Sequence, residues 1–400
     1  MAQVYQFGTV HCALEAPGFV LLALQFHAAK IHPKCLCNST GIEVYIARRR
    51  DQFVIHRMPN TGPDHMPDCD HFEPDEDLTG LGALVGHAVV DDQDTGITKL
   101  KLGFPLSRGA SKLAAEAISV ERSEVGADGA RMTLRGLLHY LWNDAHLTHW
   151  HPRMAGKRNW NVVRNALRGT LASKDSKGQQ LGALVYIPEV FSVKDKYEIE
   201  QRRNELVARA LPATRQSMIL IAEVKSIQRS LNGEKIVCKH LPDWPLLLDA
   251  DMARRVQRNF EVELAALDSN PEGHLIVCAT FELDRAERAV ARFITFMPTN
   301  EHWIPFETRD ERGLVARCIA GQRRFIKGMR MNYPSTRPIA NVILIDTKPM
   351  STALYLRRRS MTSDYQAALA DLMTKSGVVH LEVDLAENLP SVPSPAPDHA

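Results

Sequence analysis

Cys35-Leu36-Cys37 and, well downstream, His65-Met66-Pro67-Asp68-Cys69-Asp70-His71 are the stretches that decide how the N-terminal part of this chain folds. Two thiols one residue apart, a third beyond them and an imidazole on either side of that third supply the donors of a tetrahedral zinc site. Three sulfurs and one nitrogen fill the shell and leave no position for water, so the expected role is structural. The fourth ligand is either His65, in a His-x3-Cys spacing, or His71, in a Cys-x-His spacing, with His65 preferred. Between the two halves lie strand-like stretches, Ile42 to Ala47 and Gln52 to Met58, joined by Arg48-Arg49-Arg50-Asp51. A metal there closes a loop around a basic-tipped hairpin and converts binding free energy into folding free energy. A disulfide between cysteines one residue apart is strained, and core packing alone does not call for three cysteines flanked by histidines.

The rest of the chain sets bounds. Its 400 residues exceed what one core normally serves, so two or three domains are expected, and a formal net charge of +2 selects no partner by itself. The seven cysteines are odd in number, and Cys12, Cys238, Cys278 and Cys318 lie singly in apolar segments. That is no disulfide framework, and it points to a reducing compartment. No segment reaches the roughly 18 apolar residues of a membrane helix, so the expectation is a cytoplasmic protein with no membrane partner.

Apolar stretches at Val4 to Val10 and Phe19 to Phe26 read as strands beneath the zinc site, and the acidic, proline-interrupted segment Asp64 to Asp77 reads as a solvated connection. Thr133 to Leu147 and Asn159 to Leu171 each place apolar residues on one helical face. A strand at Leu181 to Ile187 follows, giving a winged-helix-like order. A surface helix is expected over Lys194 to Ala210, then strands Ser217 to Gln228 and Glu234 to His240 around the hairpin signal Asn232-Gly233. One long helix is expected over Asp251 to Leu267, with Asp249 or Asp251 as cap, then strands at His274 to Phe281 and Asn341 to Ile345 and helices near Arg312 to Ile319 and Asp364 to Ser376. The fold class is therefore α+β. A zinc-stabilised β-rich region covers 1–105, a helical, basic, winged-helix-like middle covers 106–190, a mixed α/β domain covers 191–389, and a disordered proline-rich tail covers 390–400.

Two segments carry possible chemistry. From Arg131 to Lys174 there are eight lysines and arginines against one acid, Asp144, with Trp142, Trp150 and Trp160 among them. Cations neutralise phosphates and exposed aromatics stack on bases, so Trp150, Arg153, Lys157, Arg158, Arg164 and Arg168 are the expected nucleic-acid contacts. Trp142 and Trp160 fall on apolar helical faces and are assigned to the core. The second segment is Asp346-Thr347-Lys348, which ends an apolar strand and matches the acid-x-lysine half of a metal-dependent nuclease of restriction-endonuclease-like fold. The aspartate that normally opens that motif is missing upstream, which leaves Asp346 and Lys348 as weak catalytic candidates. Glu223-Val224-Lys225 matches the same half-motif but sits in a hairpin, where a cross-strand charge pair explains it. Gly80-Leu81-Gly82 lacks the context of a phosphate-binding loop.

Cys35-Leu36-Cys37, Arg57-Met58-Pro59 with Thr61-Gly62, His65-x3-Cys69, Gly156-Lys157-Arg158-Asn159-Trp160 and Ile345-Asp346-Thr347-Lys348-Pro349 together resemble a bacterial family of uncharacterised proteins of about this length, associated with plasmids and integrative conjugative elements. The metal pattern by itself is also similar to SWIM-type zinc fingers, with a longer interval between its halves. The family resemblance implies an accessory protein of a mobile genetic element, whose partners are DNA and other mobile-element proteins, and it favours His65 over His71. The reading that results is a zinc-binding, non-enzymatic, DNA-associated accessory protein. The alternatives are a nuclease in the C-terminal half and a protein-binding scaffold without a nucleic-acid role.

Overall fold

A computed structural model describes residues 3–49, 52–107, 130–214, 216–357 and 362–385. The proline-rich tail at 390–400 lies outside the described residues. The chain is α+β, and among the described residues its helices are distributed among four sheets.

The first sheet has five strands in the order Val10–Ala13, Val4–Phe7, Lys34–Cys35, Ile42–Arg49 and Gln52–Arg57, all antiparallel. The apolar run at Phe19 is a helix, Phe19–Ala29, not the expected strand. A continuous apolar run cannot distinguish the two by periodicity. Leu, Ala and Gln favour the helix, which buries Phe19 and Ala23 one turn apart against the sheet and ends at Lys30 in the left-handed region. The acidic segment is solvated only in part, with Asp64, Asp68, Asp70 and Asp77 exposed. Glu73 is buried, receives Arg57 at 3.3 Å and accepts from Asn143 Nδ2 at 3.1 Å, and Asp75 caps the short helix Glu76–Thr79. Gly80 then passes so close to Met329 that a Cβ would lie 2.0 Å from its carbonyl oxygen, and its φ of +85° is one that glycine adopts without strain.

In the middle of the chain, Thr133 and Asn159 cap helices Leu134–Asp144 and Trp160–Leu171 by accepting from Gly136 N and Val162 N. The first of these is buried almost all round, and Trp142 Nε1 donates to the Trp303 carbonyl at 3.2 Å. The strand expected at Leu181 to Ile187 is a 3-10 turn followed by Val185–Tyr186, which adds in parallel to Met218–Ser230 rather than standing as a wing. Strand pairing crosses both expected domain boundaries. Ile97–Leu100 pairs with Lys174–Ser176 in the second sheet, and His149–Trp150 pairs with Phe325–Lys327 in the fourth.

The third sheet closes on itself. Met218–Ser230, Gly233–Cys238, Leu241–Asp249, His274–Leu283 and Ala289–Thr299, numbered one to five in chain order, are hydrogen-bonded in the ring 1-2-3-5-4-1. Strands three and five run parallel and all other pairs antiparallel. Strand one can serve two neighbours because its register shifts between Val224 and Ser226, where the strand bends from strand four to strand two. The expected single helix at 251–267 is two, Ala250–Asn259 and Glu261–Ser269, inserted between strands three and four; Asp249 caps the first. This order, sense and helix position are those of an OB-fold barrel. Alternation along the strands turns Leu220, Ala222, Ile236, Leu246, Val277 and Phe281 into the barrel. Ile219, Ile221, Ile276 and Cys278 turn outward against Leu137, Leu141 and Trp142.

One ion pair ties the middle helices to the second sheet. Lys174, 5% exposed, meets Asp144 at 2.9 Å. Burial pushes the Asp144 carboxyl up, but the Lys174 ammonium more than reverses this and leaves it below its usual range. A carboxylate depressed in the folded state contributes stability that is complete above its unfolded value and is lost as pH falls through the folded one. Asp144→Asn is therefore expected to be less stable than wild type at neutral pH, with the difference shrinking below about pH 4. Urea unfolding midpoints across pH 2 to 7 check this; a pH-independent difference contradicts it.

Candidate metal centre and basic surfaces

Local sequence chemistry brings the metal-site residues together. Cys35 ends a two-residue strand held between Tyr5 and Ile42. Cys37 lies in the turn that follows, where the Asn38 side chain accepts from Thr40 N and Gly41 N. His65 terminates the 3-10 turn Gly62–Asp64, and Cys69 closes a further turn by donating its N–H to Met66 O at 2.8 Å. The separations are 3.6 Å for Cys35 Sγ to Cys69 Sγ, 3.4 Å for Cys37 Sγ to His65 Nδ1 and 3.6 Å for Cys69 Sγ to His65 Nδ1. Zinc bonds of about 2.3 Å to sulfur and about 2.0 Å to nitrogen give tetrahedral edges of roughly 3.8 and 3.5 Å. The cluster has those edges. A disulfide needs about 2.05 Å between sulfurs, so the cysteines are free thiols.

The three thiols of the cluster are not alike: burial pushes Cys37 up. The hydrogen bond from Cys35 pulls the Cys69 thiol down to about 3. The same bond, together with burial, pushes Cys35 far up. Backbone N–H groups of Met66 and His71 donate to the sulfurs of Cys37 and Cys69, as they do to metal-bound thiolates. Among the described residues this is the one group of three or more ligating side chains, and it could hold a metal ion of zinc's preference. His71 is placed elsewhere: its Nε2 lies 2.9 Å from the Tyr5 hydroxyl, and burial lowers its pKa. The structure therefore gathers Cys35, Cys37, His65 and Cys69 and leaves His71 outside.

The family model described as protein of unknown function (DUF1173) matches residues 5–382. The chain belongs to that family. No curated protein and no solved structure matches it. The uncharacterised family expected from the sequence is thus shown, and the DUF1173 match runs through both the metal centre and the barrel. No helix among the described residues of this DUF1173 chain is long and apolar enough to cross a membrane.

The other expected site residues are scattered. Trp150, expected to stack on bases, is 2% exposed in the core beside Phe325 and Leu344, with His302 packed on its ring. A short strand pairing, His149–Trp150 with Phe325–Lys327, draws the loop inward. Arg158 donates to the carbonyls of Leu147, His149 and His302 and is a brace, not a phosphate contact. Arg153, Lys157 and Arg168 are exposed, and Arg164 is half-buried. Asp346 is not available to a metal: Arg323 meets both of its oxygens, at 2.6 to 3.2 Å, and Arg324 N donates to one of them at 2.8 Å. Lys348 is exposed beyond it. Glu223 is likewise engaged, by Lys239 at 2.5 Å and His274 at 2.6 Å. The arginines missed in the sequence are Arg202 and Arg203. Their helix, Lys196–Val207, packs beside Arg164 and Arg168, and the signal available was only the adjacent pair of cations.

Proposed function

We propose that this protein is a non-enzymatic, zinc-stabilised accessory protein that binds nucleic acid, single strands above all. The observation that carries this reading is the closed 1-2-3-5-4-1 barrel, because the outer face of strands two and three and the loops beside it are where such barrels take oligonucleotides. Strands one, four and five are covered outside by the helical layer. Lys225 is exposed at the bulge, Lys235 is half-buried on strand two, and the strand-one hairpin ends on an exposed Leu231. Zinc at Cys35, Cys37, His65 and Cys69 has a structural role, since four protein ligands leave no open position for chemistry. The resemblance to a family associated with plasmids and conjugative elements supports a place beside DNA in such an element, and the seven free cysteine thiols support a reducing cytoplasm.

A labelled thymidine oligonucleotide of about 20 nucleotides, titrated by fluorescence anisotropy at several salt concentrations, tests the reading. Binding that weakens steeply with salt and falls in Lys225→Ala/Lys235→Ala is expected. No binding at low salt to single or double strands contradicts it. A second reading, a protein-binding scaffold, draws on the exposed Val20, Leu21, Leu24 and Ile31 of the N-terminal helix and its exit; it gains ground if DNA binding is absent.

A further inference from the structure

Helices Trp160–Leu171 and Lys196–Val207 face one another across a groove of about 550 Å³, lined by Arg164, Arg168, Gln180, Glu189, Arg202 and Arg203 among others. Arg164 and Arg168 are one turn apart on the same helical face. Glu189 lies between the two helices: Arg202 donates to both of its oxygens at 3.0 and 2.9 Å, and Arg164 approaches at 3.7 Å. Arg203 sits 5.5 Å over the Trp244 ring, which holds its guanidinium in place. The lining therefore holds four guanidinium groups and one carboxylate and is net positive, while outside it Asp195 and Glu198 act on Arg202 and Asp243 faces Arg203. Burial and then the neighbouring Arg168 charge hold Arg164 below its usual range, the mark of a cation whose surroundings under-compensate it. The floor of the groove includes Val185 and Tyr186, the strand that extends the barrel sheet at strand one, so the groove adjoins the barrel.

We propose that this groove is a phosphate-binding site for the backbone of a nucleic-acid strand, with the exposed Arg168 and the half-buried Arg203 as the contacts not paired to Glu189, and Arg164 and Arg202 set by Glu189. The proposal rests on the nucleic-acid reading above. Planar guanidinium groups from two sides match phosphate oxygens bidentately. Glu189 fixes two of the arginines and also opposes an incoming anion.

The test measures affinity for the same labelled thymidine oligonucleotide across salt concentrations in wild type, Arg168→Ala/Arg203→Ala, Glu189→Gln and the barrel-face variant Lys225→Ala/Lys235→Ala. Losing two phosphate contacts is expected to reduce the slope of log affinity against log salt by about 1.4. Glu189→Gln is expected to bind more tightly than wild type, a gain that misfolding cannot imitate. Unchanged slope and affinity in both groove variants, with binding lost in the barrel-face variant, overturns the groove and leaves the barrel reading intact. No binding by wild type at low salt overturns both.

Discussion

Cys35→Ser/Cys69→Ser is expected to lose the ordered N-terminal sheet while the barrel and the fourth sheet stay folded. The sheet's own core is small, built on Tyr5, Phe7, Phe19, Ala23, Val44 and Ile46, and Cys35 and Cys69 both belong to it. Structural zinc contributes apparent binding free energies of about 10–16 kcal/mol in isolated zinc-finger peptides, and here that free energy closes the loop from Cys37 to His65 around the Ile42–Arg49 and Gln52–Arg57 hairpin. That is comparable to the whole stability of a typical domain, about 5–15 kcal/mol in total. Limited proteolysis read by mass spectrometry should show new cleavage sites confined to residues 3–70 in the variant, and the same sites in wild type after chelation. Protection equal to that of untreated wild type in both samples would mean that the apolar core suffices without the metal.

Asp346→Ala is expected to destabilise the fold by about 3–5 kcal/mol, the usual cost of leaving the partner of a buried ion pair uncompensated. Arg323 and Asp346 are 9% and 6% exposed, and the carboxylate also accepts from Arg324 N, so truncation strands both a guanidinium and a backbone donor. A paired replacement, Arg323→Met/Asp346→Leu, should recover much of the loss, because it removes both charges together. Chemical denaturation of the three variants measures this. If Asp346→Ala unfolds like wild type, the ion pair is not the reason for that aspartate, and a role in metal chemistry returns to consideration.

The metal cluster was legible in the sequence because ligand chemistry restricts which residues can serve and because spacing is visible without a fold. Choosing between His65 and His71 needed the turn at Gly62–Asp64 and the Tyr5 hydroxyl, both set by contacts distant in sequence. The helices at 134–144 and 160–171 were legible from apolar spacing, and the Asn232-Gly233 hairpin from turn chemistry. The helix at Phe19 was not, because a continuous apolar run carries no period. Trp150 and Arg158 looked like a nucleic-acid surface because composition reports charge and aromaticity but not which way a loop turns. The barrel was beyond reach from sequence, since strand four's return to strand one is a pairing across some sixty residues, as in Leu220 with Ala279. The arginine groove shares that origin: its two halves meet only once both helices have packed on the barrel edge.

Metal content of the full chain, purified under reducing conditions and measured beside Cys69→Ser and His71→Ala, tests the account most directly. One zinc per chain in wild type and His71→Ala, and little or none in Cys69→Ser, is the expected result. Zinc lost in His71→Ala as in Cys69→Ser, or absent from the wild-type protein, contradicts a site made by Cys35, Cys37, His65 and Cys69.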